Sequence, residues 1–206
     1  LYVSGYLITI SLAFTQTIIL QRGSIQLVGL HTPAATISTT MMGLLGALTS
    51  YFYPRMVFQL GQHGIPVEIW YGIRRVVVIG ASVAIPIAIV GQVILPWALP
   101  KYLPQYTAAL PAVQIALIGS IVLALDATQA GLYALKSWRY IAIYTLIAVV
   151  LRWIIPWILT QNNQVLVGAE TGMLLANALI FAFGMWAVRK ATHTPMSNMN
   201  RTREEV

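Results

Sequence analysis

The chain has 206 residues, of which 58% are hydrophobic and only 8% are charged, and its formal net charge is +7. A soluble domain of this size would expose too much apolar surface, so composition excludes a soluble globular protein and predicts a membrane protein. The excess of Lys and Arg does not indicate nucleic-acid binding, because the basic residues fall in short loops and a tail, as membrane topology requires.

Six long uncharged runs follow one another along the chain. A hydrocarbon core about 30 Å thick needs about 20 apolar helical residues, and an open strand could not satisfy its backbone in lipid. We therefore predict an all-α, polytopic bundle with six transmembrane helices. Their approximate bounds are 2–20, 26–53, 76–99, 107–135, 138–159 and 165–188. Residues 1–190 would form one six-helix lobe, and residues 191–206 a disordered polar tail.

The basic residues are distributed unequally between the two sides of this arrangement. Only Arg22 and Lys101 fall on one side, where the loops are very short. The other side carries Arg55, Arg74, Arg75, Lys136, Arg139, Arg189, Lys190, Arg201 and Arg203. The positive-inside rule makes that side cytoplasmic and predicts that both ends of the chain face the cytoplasm. The chain begins at Leu1, directly within a predicted span, which suggests a fragment of a longer protein.

Small residues at helical spacing recur in three spans and predict close helix packing. These stripes are Thr39, Gly43, Gly46 and Ser50 in span two, Gly80, Ala84 and Ala88 in span three, and Gly168, Gly172 and Ala176 in span six. Pro33, Pro86 and Pro156 lie within spans, where we expect them to kink the helices.

Three ionisable residues fall inside spans, where each needs a partner or water. Arg152 and Glu170 lie about 12 Å and about 8 Å below the outer ends of two adjacent spans, so they could pair; alternatively, Arg152 attracts an anionic group in a wet cavity. Asp126 lies about 15 Å from the cytoplasmic end of its span, with Gln129 and Tyr133 on the same face. An ion-coupling site and a plain helix contact both fit Asp126.

Uncharged polar residues are frequent in the first two spans. They suit a sugar-lined or water-lined cavity about as well as they suit interhelical hydrogen bonds. They include Ser11, Thr15, Gln16, Thr36, Ser38, Thr39 and Thr40. The three histidines are too dispersed for a sequence-local metal site, cysteine is absent, and neither a phosphate loop nor a nucleophile elbow occurs. We therefore expect no catalytic residue, metal or cofactor.

Three stretches resemble known sequence patterns in their order and spacing. Residues 48–55 resemble a span end with an aromatic-Pro pair, and residues 94–117 resemble an "LP … Y … A … L … L" passage between two spans. Residues 167–172 resemble a "G-x-x-G-A-A" helix start. Together they resemble the C-terminal half of polysaccharide flippases of the multidrug/oligosaccharidyl-lipid/polysaccharide exporter superfamily. Glu170 departs from that pattern, because the family usually has a small residue there. Such proteins have about twelve spans, twice the number predicted here.

The resemblance implies a transporter without enzymatic activity, in the bacterial inner membrane. Its substrate would be an undecaprenyl-pyrophosphate-linked oligosaccharide, its surroundings membrane lipid, and its partner a missing N-terminal six-helix lobe. Arg152 and, at the outer rim, Arg22 would offset the diphosphate charge. Two alternatives stay open at this point: a multidrug or cation antiporter of the same superfamily, which Asp126 and Glu170 would suit, and a membrane-embedded enzyme of glycan assembly.

Overall fold

A computed structural model describes residues 13–161 and 164–193, without the side chain of Leu45. All regular structure in these ranges is helical. A first helix, α1, covers 13–22, and six further α-helices and one short 3-10 helix follow it. They are α2 (Ile25–His63), α3 (Val67–Tyr102), the 3-10 helix (Pro104–Ala109), α4 (Leu110–Leu125), α5 (Thr128–Ala134), α6 (Trp138–Leu159) and α7 (Val165–His193).

Helices α2 and α3 form a long hairpin. The sequence placed Arg55, Arg74 and Arg75 in a loop after the second span, but these residues are helical and the connection is only residues 64–66. Gly64 ends α2 in the left-handed conformation (φ 66°), and its N–H donates to the Leu60 carbonyl. Helical hydrogen bonding continues beyond each apolar run, so α2 and α3 are longer than their hydrophobic segments.

The predicted fourth span is interrupted. The sequence predicted one helix over 107–135, but α4 ends at Leu125 and α5 begins at Thr128. Asp126 leaves helical geometry (φ −80°, ψ 71°), and its Oδ1 accepts bonds from the N–H and the hydroxyl of Thr128. A short acidic side chain that bonds to nearby backbone competes with the helix, and here it ends α4.

Two buried clusters lie at opposite ends of the bundle. One cluster joins the α2–α3 connection, the α5–α6 connection and the end of α7, and includes Met56, Ile73, Leu132 and Val188. The other joins the end of α1, the start of α4 and the start of α7, and includes Ile19, Val113 and Leu166. Helix α7 packs closely against α4 and α6 and therefore contributes to both clusters.

Two of the three predicted small-residue stripes lie in helix contacts. A Cβ atom on Gly80 would lie 3.3 Å from the Ala124 carbonyl of α4, and Ala84 and Ala88 are buried. A Cβ on Gly172 would lie 2.5 Å from the Cα of Pro156 in α6. The stripe on α2 does not pack in this way, because Cβ atoms on Gly43 and Gly46 would meet no described atom within 4 Å.

The apolar helices indicate a membrane protein. Four described segments are long and apolar enough to cross a bilayer: Val67–Tyr102, Pro104–Ala134, Trp138–Leu159 and Val165–His193. Their outer faces carry large exposed hydrophobic side chains, such as Val93 (74% exposed) and Leu146 (64% exposed). Such surface is unfavourable in water and suited to lipid. The prediction of six spans stays a prediction, and the part of the tail beyond His193 lies outside the described residues.

Candidate functional site

A cavity of about 230 Å³ lies inside the bundle, between α1, α2, α4 and α7. Its α4 wall is apolar, formed by Ala116, Gly119 and Leu123. The other three helices supply polar side chains to the lining, namely Thr15 and Gln16 from α1, His31, Ser38 and Thr39 from α2, and Glu170 and Asn177 from α7. Polar side chains inside an apolar helical bundle are candidate functional groups in a membrane protein, and here they meet at one cavity whose wall is otherwise apolar.

A buried acid–base pair joins two walls of this cavity. The Nε2 atom of His31 lies 2.6 Å from the Oε1 atom of Glu170, and both residues are at most 6% exposed. Helix α2 provides the imidazole and α7 the carboxylate. An isolated carboxylate in this position would be strongly unfavourable, so the histidine supplies the hydrogen bond that lets Glu170 remain buried.

Two buried polar atoms at the cavity have no hydrogen-bond partner among the described residues. They are the Thr15 hydroxyl and Nδ1 of His31, on residues that are 3% and 6% exposed. Buried polar groups in folded proteins nearly always have a partner, from protein or from ordered water. Both residues line the cavity, so water or a polar ligand there would supply the missing bonds.

Arg152 approaches the cavity from behind its α7 wall. Its Nε donates to Oδ1 of Asn177 at 3.0 Å, and the side chain is 3% exposed. Asn177 lies two helical turns after Glu170 on the same face of α7 and lines the cavity. The amide of Asn177 therefore connects a deep positive charge to the cavity wall.

Arg152 and Glu170 each contact a different polar partner in the structure. Arg152 and Glu170 were expected to be able to pair, because they lie on adjacent antiparallel helices. The structure gives Glu170 the imidazole of His31 as its partner and gives Arg152 the amide of Asn177. Only the depth of the two residues was inferred from the sequence, and depth does not determine which way each side chain points around its helix.

Asp126 belongs to a second polar cluster, at the interruption between α4 and α5. Its carboxylate accepts hydrogen bonds from the hydroxyls of Thr128 and Tyr144. The predicted polar face through Gln129 and Tyr133 assumed a continuous helix, and the interruption at Asp126 removes that alignment.

The remaining predicted site residues are only partly brought together. Thr15 and Gln16 line the cavity, whereas Gln129 is half-buried in α5 and Ser11 lies outside the described residues. Arg22 does not line the cavity; its guanidinium lies 4.1 Å from the ring centre of Trp157 at the end of the bundle. Within the described ranges, no group of three His, Cys, Asp or Glu residues could hold a metal ion.

Sequence reasoning missed two residues of the cavity, His31 and Asn177. Their signal was present, because each is a polar residue within a long apolar segment. His31 was considered only as a metal ligand, and Asn177 was not singled out. An intramembrane polar residue is itself a signal, whether or not a second ligand lies nearby in sequence.

Comparisons of the chain with family models, with curated proteins and with solved structures found no match. Its function must therefore be inferred from its own residues and from the geometry of this cavity.

Proposed function

We propose that the chain is one six-helix lobe of a transporter that flips an undecaprenyl-pyrophosphate-linked oligosaccharide across the bacterial inner membrane. The observation that carries the proposal is the cavity with polar side chains from three helices, where the Thr15 hydroxyl and Nδ1 of His31 have no hydrogen-bond partner among the described residues. A neutral glycan presents many hydroxyl groups, which are donors and acceptors of the kind these atoms lack. The sequence resemblance to polysaccharide flippases supports the same substrate. No bond is made or broken in such a reaction.

The outer face of α2 supports a path for a polar substrate beside the cavity. Between residues 29 and 50, the exposed positions along this face are small or carry hydroxyls: Gly29, Thr32, Thr36, Thr39, Gly43, Gly46 and Ser50. By contrast, the exposed face of α3 carries large apolar side chains, such as Val90 and Val93. We infer that α3 faces lipid and that α2 faces the second lobe across the transport path.

Arg152 offers the positive charge that a buried diphosphate requires. It is the one buried residue among the described lysines and arginines, and the others are exposed. Arginine binds phosphate oxygens through several parallel N–H groups, so its charge and shape both suit the proposed substrate. Alternating access would bring the diphosphate past Asn177, where the guanidinium already has a hydrogen bond.

The proposal includes an orientation and a partner. Seven exposed basic residues lie at the end of the bundle that holds the α2–α3 connection: Arg55, Arg74, Arg75, Lys136, Arg139, Arg189 and Lys190. We infer that this end faces the cytoplasm, together with both ends of the chain. A second six-helix lobe, N-terminal to this one in the complete protein, would close the path.

Complementation in the complete protein tests the proposal. In a strain lacking the native gene, Arg152→Ala should abolish surface polysaccharide, and Arg152→Lys should restore part of it, because charge is kept while the fork geometry is lost. Arg139→Ala is the matched control, since Arg139 is an exposed basic residue on the same helix. Equal glycan from Arg152→Ala and wild type, at equal expression, would remove Arg152 from the mechanism. Absence of glycan with the wild-type gene would contradict the flippase proposal itself.

Accessibility of α2 provides an independent test, because the chain contains no cysteine and a single introduced thiol reports only on its own position. A membrane-impermeant thiol reagent should label Gly43→Cys in the complete protein and should leave Val90→Cys on α3 unlabelled. Labelling should fall when lipid-linked oligosaccharide is supplied. Labelling of both positions, or of neither, would contradict the assignment of α2 to the path.

The buried His31–Glu170 pair favours a second candidate, a cation antiporter of the same architecture. Such a protein binds cationic substrates near acidic groups, and Glu170 lines the cavity. Drug-resistance assays distinguish the two candidates. An antiporter would lower the accumulation of cationic dyes in cells, and Glu170→Gln would abolish that effect without changing surface polysaccharide.

A further inference from the structure

The exposed stripe of α3 changes character abruptly at one level. From Val78 to Trp97 it is largely apolar, with Val78, Ile89 and Val93 each at least 60% exposed. Within two turns before Val78, the same stripe carries Tyr71, Arg74 and Arg75, which are all exposed. These positions follow i, i+3, i+4 and i+7 spacing, so they share one face of the helix. The surface is therefore apolar along most of its length, with two arginines at one end and the single Lys101 at the other.

The length of the apolar part matches a bilayer. Between Arg75 and Trp97 the helix rises about 33 Å, close to the hydrocarbon thickness of about 30 Å. The rings of Trp97 and Tyr102 meet edge to face, and the ammonium of Lys101 lies 4.7 Å from the centre of the Trp97 ring, as expected for an interfacial aromatic residue. Arg74 and Arg75 therefore lie at the level of the opposite headgroup layer.

Both guanidinium groups are available for an external ligand. Neither makes a hydrogen bond or ion pair within the ranges that the structure describes. Arg55 of α2 lies at nearly the same level, since the Met56 side chain packs against Gly72. Glu68 is the acidic residue closest to them along α3, and its carboxylate already contacts His63.

We propose that Arg74 and Arg75, with Tyr71, bind the phosphate of an anionic phospholipid whose acyl chains lie along the Val78 side of α3. The ligand must be anionic at one end and apolar beyond it, which a phospholipid is and a nucleic acid or an acidic peptide is not. Arginine forks bind phosphate oxygens bidentately, and tyrosine hydroxyls are common at this depth. This site lies on the outer face of the bundle and does not depend on the proposed transport function.

Quenching of a single fluorophore by brominated lipid tests the site in the full chain. Val78→Cys is labelled with bimane, and the protein is reconstituted in phosphatidylcholine containing a small fraction of brominated phosphatidylglycerol or brominated phosphatidylcholine. We expect the anionic lipid to associate at Val78 about fivefold more strongly for each arginine engaged. The preference should fall in high salt, since the Debye length shortens.

Three comparisons decide the outcome. In the Val78→Cys background, Arg74→Gln with Arg75→Gln should remove the preference, whereas Lys101→Gln at the other end should leave it unchanged. Bimane at Val93→Cys, on the same stripe but about 22 Å away along the helix, should show no preference. Equal quenching by both lipids at Val78, a preference that survives the double substitution, or an equal preference at Val93 would each overturn the proposal.

Discussion

His31 on α2 and Glu170 on α7 lie 139 positions apart in the sequence, yet their side chains meet at 2.6 Å inside the bundle. This contact ties the second helix to the last one across the cavity. Glu170→Ala leaves the His31 ring without its partner, so the free energy of unfolding should fall by about 2–4 kcal/mol. The double variant His31→Leu with Glu170→Leu should lose less unfolding free energy than the sum of the losses in His31→Leu and Glu170→Leu alone. Equilibrium unfolding in mixed detergent micelles measures these variants, and additive losses would show that the pair is not coupled.

The contact between α6 and α7 predicts opposite effects for two glycine substitutions. Gly172→Ala would place a Cβ 2.5 Å from the Pro156 backbone, so it should lower the unfolding free energy by about 1–3 kcal/mol. Gly43→Ala is the matched control, since its Cβ meets no described atom within 4 Å and alanine favours the helix by up to about 1 kcal/mol. Thermal unfolding in detergent compares the two, and a neutral Gly172→Ala would contradict the close approach.

The hydrogen bonds at the Asp126 interruption predict graded losses of unfolding free energy in three variants. Asp126→Ala removes the acceptor for Thr128 and Tyr144 and should lower the unfolding free energy by about 1–3 kcal/mol. Asp126→Asn keeps one carbonyl acceptor and should lose less unfolding free energy than Asp126→Ala. Tyr144→Phe removes a single donor and should also lose less than Asp126→Ala. The same unfolding assay ranks the variants. If Tyr144→Phe lost as much unfolding free energy as Asp126→Ala, the Asp126 carboxylate would not be stabilised by both Thr128 and Tyr144.

The turn between α2 and α3 predicts another matched pair. Gly64 has a φ of 66°, so Gly64→Ala should lower the unfolding free energy by about 1–2 kcal/mol. Gly61 lies one turn earlier within α2, without positive φ and with open space around it, so Gly61→Ala should be neutral or slightly stabilising. Thermal unfolding distinguishes the two, and equal midpoints would contradict the left-handed turn.

The helical architecture followed from hydropathy, because apolar runs of this length and composition have few other ways to satisfy their backbone. The bounds of α2 and α3 could not be predicted from hydropathy, because hydropathy marks only the apolar part of a helix and not the polar turns that extend beyond it. The interruption at Asp126 depends on two side-chain hydroxyls, one of them on α6, which no local pattern reveals.

The candidate site was only partly predictable for a similar reason. Thr15, Gln16 and Glu170 were recognisable as polar residues in apolar segments, and all three line the cavity. The partner of Glu170 depends on how α2 and α7 are rotated, which spacing along one helix cannot provide. Gly172 was predicted correctly, because small residues four positions apart are themselves the property that permits a close contact.

The fit of Gly172 against Pro156 also constrains how sequences of this type can diverge. The Pro156 backbone occupies the space that a side chain at position 172 would need. A larger residue at 172 is thus acceptable only after the α6 backbone has moved away from α7. Among descendants of this chain, a side chain at position 172 should therefore appear only together with substitutions elsewhere along the two helices that separate them.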